Sequence, residues 1–168
     1  WHSEFFSTSS IADDSKGFAQ GFDAVHALNK ENVVSSQAVF DRVAEALKAS
    51  QPKSLFFVHI SELRLPYKAP SEKLELWAVP NYSGTVTPQS MQNLIVKQNP
   101  SAEDAKQLEA YYDGELSVVD DAIGAFAKKL PADTLVVLWG THGNSLGETH
   151  LGYEQTLSPW ELLSPYAF

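Results

Sequence analysis

The chain has 168 residues, 43% of them apolar and 11% aromatic, which supplies a sizeable core and excludes an intrinsically disordered polymer. Its formal charge of −9 argues against nucleic acid or an anionic membrane surface as the main partner, because both reward Lys and Arg. The absence of cysteine excludes disulfides, zinc–thiolate sites and thiol nucleophiles within this chain. No apolar run approaches the ~20 residues of a membrane helix, and no signal-peptide pattern opens the sequence.

Position 1 is Trp and the first residues already read as structure, so the chain is expected to be a fragment or processed part of a longer one. Glu4 to Thr8 reads as a short strand running into a Ser-rich turn. Residues Lys16 to Asp23 carry two glycines that bracket aromatics, the pattern of a packed loop. Ser36 is placed to cap a helix whose buried stripe is Val39, Val43 and Leu47, and Pro52 ends it. Ser54 to Ile60 is apolar nearly throughout, as expected of a strand covered on both faces. His59 inside that run reads as a hydrogen-bonded core histidine.

Residues 65–100 hold five prolines and little periodicity, a long excursion of the kind that serves a site or a partner surface. Ser101 to Asp104 resembles a capping box with Asp in place of Glu. Behind it Leu108, Tyr112, Leu116, Val119, Ile123, Phe126 and Leu130 recur every three or four residues, and Pro131 stops the helix. Asp113, Glu115, Asp120 and Asp121 form a dense acidic stretch whose helical spacing spreads them over a solvated face. Thr134 to Trp139 reads as a second buried strand, followed at once by Gly140-Thr141-His142-Gly143. Strand, crossover with helix and strand together predict an α/β fold, a mainly parallel sheet flanked by helices. Ligands of such sheets sit beyond the carboxyl ends of the strands, which singles out residues 61–70 and 140–154. Ser145, between Gly143 and Gly147, has the loose look of a nucleophile elbow, but no acid–His partner order accompanies it.

Five stretches, in order, resemble the sulfatase family of the alkaline phosphatase superfamily. Gly17-Phe18 and Gly21-Phe22-Asp23 are similar to its GF…GFD loop. Phe56 to Ile60 followed by Leu65-Pro66-Tyr67-Lys68-Ala69-Pro70 is similar to its strand running into Asp-Pro-His-x-Pro-Tyr-x-x-Pro. Tyr112-Asp113-Gly114-Glu115, with Val119-Asp120 and Ile123-Gly124, resembles its YDGE…VD…IG helix. Leu135 to Glu148 is similar to its strand ending in Ser-Asp-His-Gly-Glu-x-Leu-Gly-Glu, and Thr156-Leu157 with Glu161 echoes TLYEE. The resemblance implies one sulfatase-like α/β domain over residues 1–168, the middle-to-C-terminal part of a catalytic domain.

Members of that family hydrolyse sulfate esters, and related branches handle phosphate esters or transfer phosphate-containing groups. The resemblance implies a hard divalent cation such as calcium, held by carboxylates with an amide or His. It places the family's metal-binding Asp-His pair on Thr141 and His142, so a neutral hydroxyl stands where a carboxylate is needed. The catalytic His of the family falls on Arg64, which can clamp an anion but stays protonated and cannot act as a general base. The basic residue ahead of TLYEE falls near Glu154, where a carboxylate would repel sulfate or phosphate. Arg64 is equally readable as an exposed or salt-bridged arginine, and His142 as a hydrogen-bonded turn residue. The expectation is therefore a pseudoenzyme, a non-catalytic binding or scaffolding domain with no cofactor, whose partner is a protein or a small anionic ligand. The alternative is an active ester hydrolase or transferase with a remodelled calcium site, its nucleophile supplied by a segment preceding Trp1. The resemblance alone favours an extracytoplasmic location, periplasmic or secreted.

Overall fold

A computed structural model describes residues 1–10, 17–31, 35–91, 93, 100–147, 151–152 and 157–167. Contacts divide the chain into two compact units, Trp1–Glu62 with Val119–Leu130, and Leu63–Val118 with Pro131–Phe168. The long helix α3 (Ala102–Ala127) runs through both.

In the first unit, β1 (His2–Ser7) is the middle strand of a three-stranded parallel sheet. It pairs with β2 (Ala24–Ala27) on one side and β3 (Ser54–His59) on the other, in registers that put Phe5 beside Val25 and Phe57. A middle parallel strand needs cover on both faces, and Phe5 and Phe6, pointing to opposite faces, are almost fully buried. Phe6 packs with Leu28, Val39 and Val43 and is flanked by Leu47, Phe56 and Phe126. On the other face Phe5 stacks on Phe22 with ring centroids 5.3 Å apart, and Phe57 meets it edge-on.

The two glycines of the aromatic loop have a backbone reason. Gly17 and Gly21 sit at φ +74° and +95°, a region that side chains disfavour, so the chain can turn tightly and deliver Phe22 to Phe5. Asp23 then closes the loop by accepting hydrogen bonds from the Ser3 backbone N–H (2.7 Å) and hydroxyl (2.9 Å). Those bonds hold its carboxyl below the usual carboxylate range. Helix α1 (Ser36–Ala49) starts one residue away from the expected cap. Ser35, not Ser36, is the N-cap and accepts from the Ala38 N–H, while the Ser36 N–H is taken by the Glu62 carboxylate at 2.5 Å. The predicted stripe is present in Val39 and Val43, which are buried, with Leu47 partly so. β3 lies at the edge of the sheet, so Leu55 is 53% exposed and the strand is not covered on both faces as its apolar run implied.

In the second unit, the Pro-rich excursion is built of turns and one short helix, α2 (Ser71–Leu74). Tyr67, Val86, Met91 and Leu108 form its core, with Leu65, Tyr82, Tyr111, Tyr112 and Leu146 packed around. Ser101 caps α3 as expected, its hydroxyl accepting from the Asp104 N–H at 3.0 Å. Asp104 completes the box by accepting from the Ser101 backbone N–H, and its carboxylate also accepts hydrogen bonds from the Tyr82 hydroxyl and the Thr85 N–H, pinning the excursion to the start of α3. Along the helix Leu108 and Val119 are buried, but Leu116 is exposed, because small Ala110 and Ala122 supply buried contacts that a search for large apolar residues passes over.

The second predicted strand differs most. Only β4 (Leu138–Trp139) forms, antiparallel to β7 (Tyr166–Ala167), and Leu135 to Trp139 are all exposed. An apolar run specifies a wish for cover, not a pairing partner, and here the hydrogen bonds go to the C-terminal segment, including Gly140 N–H to Pro165 O at 2.9 Å. Beyond it lie a small antiparallel pair, β5 (Ser145–Leu146) with β6 (Leu151–Gly152), and the short helix α4 (Pro159–Leu162).

Two measurements follow from this packing. Truncation of the buried middle-strand ring, Phe6→Ala, is expected to cost about 3–5 kcal/mol in urea unfolding, whereas the edge change Leu55→Ala costs well under half of that. Burial and its bond to Asp104 push the Tyr82 hydroxyl up to about 12 from 10.0. A folded-state value raised above the unfolded one contributes stability that is complete below about pH 10 and lost as pH rises towards 12. Tyr82→Phe should therefore flatten the alkaline limb of the stability profile.

Candidate functional site

The two segments singled out beyond the strands meet at a polar contact in the second unit. Tyr67 is fully buried, its ring edge-on to Tyr112 with centroids 5.4 Å apart, and its hydroxyl accepts a hydrogen bond from the Asn144 side-chain amide. Tyr67 lies three residues beyond Arg64, and Asn144 two beyond His142, so this bond ties the Arg64 segment to the His142 turn. Asn144 Oδ1 is buried without a hydrogen-bond partner among the described residues.

The turn itself is held from the other side by α4. Gly143 donates its N–H to Glu161 O at 2.7 Å, and a Cβ at this position would overlap the carbonyl oxygens of Trp160 and Leu163. Only glycine allows so close an approach of two backbones. His142 is exposed and its Nδ1 lies 2.7 Å from Gly143 O, which requires that nitrogen to carry the proton. Thr141 and Arg64 are also exposed. Glu154 lies outside the described residues, as do Glu148 and Thr156. Ser145 is fully buried within β5, which leaves no approach to its hydroxyl as a nucleophile.

The donor set at this turn does not fit the cation that the family resemblance implies. Thr141 offers a neutral oxygen and His142 a nitrogen, whereas calcium takes six to eight oxygens with several carboxylates among them. Among the described residues no group of three or more His, Asp or Glu side chains is arranged to hold a metal ion, the acidic stretch on α3 included.

Several polar residues escaped the sequence reading. In the first unit the Ser7 hydroxyl meets His59 Nδ1 at 2.9 Å, and Thr8 meets Ser61 at 2.8 Å, joining the carboxyl ends of β1 and β3. This bears out His59 as a hydrogen-bonded histidine, although no spacing rule links it to a serine 52 positions earlier. Glu4, largely buried, is bonded by His2 Nε2 at 3.0 Å and His26 Nε2 at 2.7 Å, and His26 stacks on Phe6. Glu62, at the head of the Arg64 segment, is committed to the α1 N-terminus. Asp113, on α3 in the second unit, has its carboxyl held above the ordinary range by desolvation.

Tyr67→Phe removes the bond between the two segments and leaves the Asn144 amide without its acceptor. It should lower stability by about 1–3 kcal/mol in thermal unfolding and speed amide exchange at Ser145 and Leu146 more than in β1.

Two solved structures are similar over nearly the whole chain. The C-terminal periplasmic domain of the phosphoethanolamine transferase EptC from Campylobacter jejuni superposes with a TM-score of 0.66 at 17% identity, covering 98% of this chain and 51% of that one. The C-terminal periplasmic domain of EcEptC from Escherichia coli gives 0.65 at 14% identity, covering 99% and 47%. This chain thus spans about half the length of either, and at these identities the likeness shows the fold. Among curated proteins none matches. The sulfatase family model matches residues 1–164, and the chain belongs to the sulfatase family, with the mixed α/β fold of alkaline phosphatase-like domains.

Proposed function

We propose that this segment is a non-catalytic binding or scaffolding module derived from a metal-dependent sulfate-ester hydrolase. One observation carries the reading. The turn bearing Thr141 and His142 is built and anchored, yet it offers no carboxylate for a hard cation. Arg64 stands at the family's histidine position and is exposed, suited to contacting a small anion or an acidic partner but unable to shuttle a proton. The resemblance puts Glu154 near the family's basic position, where a carboxylate would repel sulfate or phosphate. The periplasmic origin of the two structural relatives supports an extracytoplasmic location. Among the described residues no helix is long and apolar enough to cross a membrane.

A second reading is an active ester hydrolase or transferase with a remodelled site, completed by residues beyond this sequence. It is favoured by the chain spanning only about half of each solved relative.

One experiment separates the two. The chain, and the longest natural product that contains it, are assayed with p-nitrophenyl sulfate and p-nitrophenyl phosphate in the presence of calcium, and calcium is titrated calorimetrically. The first reading expects no turnover above buffer and no stoichiometric calcium in either preparation. Turnover or calcium binding that disappears in His142→Ala would overturn it and establish the second.

A further inference from the structure

Away from the His142 turn, the excursion and α3 line an open cleft of about 360 Å³. Trp77, Val79 and Pro80 line it from the excursion, and Lys106, Glu109, Ala110 and Asp113 from the helix. The walls are fixed from both ends. The Trp77 indole N–H donates to the Ser117 hydroxyl at 3.1 Å, and that hydroxyl bonds Asp113 O at 2.8 Å. The Val79 N–H donates to the side chain of buried Gln107 at 3.1 Å. Trp77 is nevertheless 49% exposed, a large aromatic surface left beside the opening.

We propose that this cleft binds a small organic ammonium ion, with the cationic head between the Trp77 ring and the carboxylates of Glu109 and Asp113. Three features point to that chemistry. The indole face carries negative potential and attracts a weakly hydrated cation. Glu109 and Asp113 are four residues apart on α3 and both line the cleft, so a cation bound there meets two carboxylates. Desolvation keeps the Asp113 carboxyl above its ordinary range, a strain that a bound positive charge offsets. A compact inorganic cation would find too few oxygens here, whereas an alkylammonium uses the apolar wall as well. Lys106 leaves the cleft with one net negative charge, enough to favour a monovalent cation over an anion.

The test is a titration of the full 168-residue chain with choline chloride, followed by the indole N–H resonance of Trp77, identified by its loss in Trp77→Phe. Sodium chloride at equal ionic strength and the neutral isostere 3,3-dimethylbutan-1-ol serve as controls. Choline should shift this resonance saturably and the controls should not. Asp113→Asn should weaken the response about tenfold. Glu109→Gln, a change on the exposed helix surface that leaves the fold intact, should weaken it in the same direction. Arg64→Ala should leave it unchanged. An equal response to the neutral alcohol, no saturable shift with choline, or a response insensitive to both carboxylate changes would overturn the proposal.

Discussion

The first unit depends on β1 having a strand on each side. A parallel middle strand has no face open to water, so its two phenylalanines must each find a layer to pack against. The remaining pieces of the unit supply those layers. The aromatic loop bends at Gly17 and Gly21 to bring Phe22 over Phe5, and α1 with the end of α3 brings Val39, Val43 and Phe126 over Phe6. The polar groups at the two ends of the strand are then satisfied by their neighbours. Glu4 takes two histidines, and Ser7 and Thr8 take His59 and Ser61. Each buried polar atom paired in this way avoids a desolvation cost that would offset much of the gain from burying a ring.

Among the described residues the second unit has no such sheet, and it is organised around a tyrosine. Tyr67 is buried among Val86, Met91, Leu108 and Tyr112, and its hydroxyl is the one polar point in that cluster to which the Asn144 amide attaches. The same unit uses phenol and carboxylate again at Tyr82 and Asp104, where the proton-donating hydroxyl lowers the carboxylate and is itself raised. Both bonds join the excursion to a distant part of the chain. A segment with little regular structure is thereby held by a few specific hydrogen bonds and one small apolar core, in place of a ladder.

This architecture keeps the packing of the second unit apart from the exposed residues of the candidate site. Gly143, Tyr67 and the α3 cap serve packing and backbone geometry, with Tyr67 and Gly143 anchoring the turn around His142. Thr141, His142 and Arg64 are exposed and lie outside that core, although His142 is itself bonded within the turn. The pieces that hold the scaffold and the pieces that would do chemistry are therefore separable. The Trp77 cleft belongs to the scaffold side of that division, since its walls are made by the excursion and the α3 face.

How much of this was legible beforehand varies with the range of the interaction concerned. Periodicity located α1 and α3 to within a few residues, and the Ser101 cap, the glycine-bracketed loop and the strands at β1 and β3 were readable because each is a local pattern. The ordered motifs named the family. What the sequence did not reveal was every relation between distant residues: that Glu62, not a serine, satisfies the Ser36 N–H, that Asn144 attaches to Tyr67, or that Ser7 faces His59. It also misled at Leu135 to Trp139, where apolar content predicted a buried parallel strand and the backbone pairs antiparallel with Tyr166 and Ala167. Local propensity and spacing are written into neighbouring residues and so belong to the sequence by itself. Pairing partner, cover and the surroundings of a carboxylate such as Asp113 depend on which remote segment arrives, and only the tertiary structure decides that.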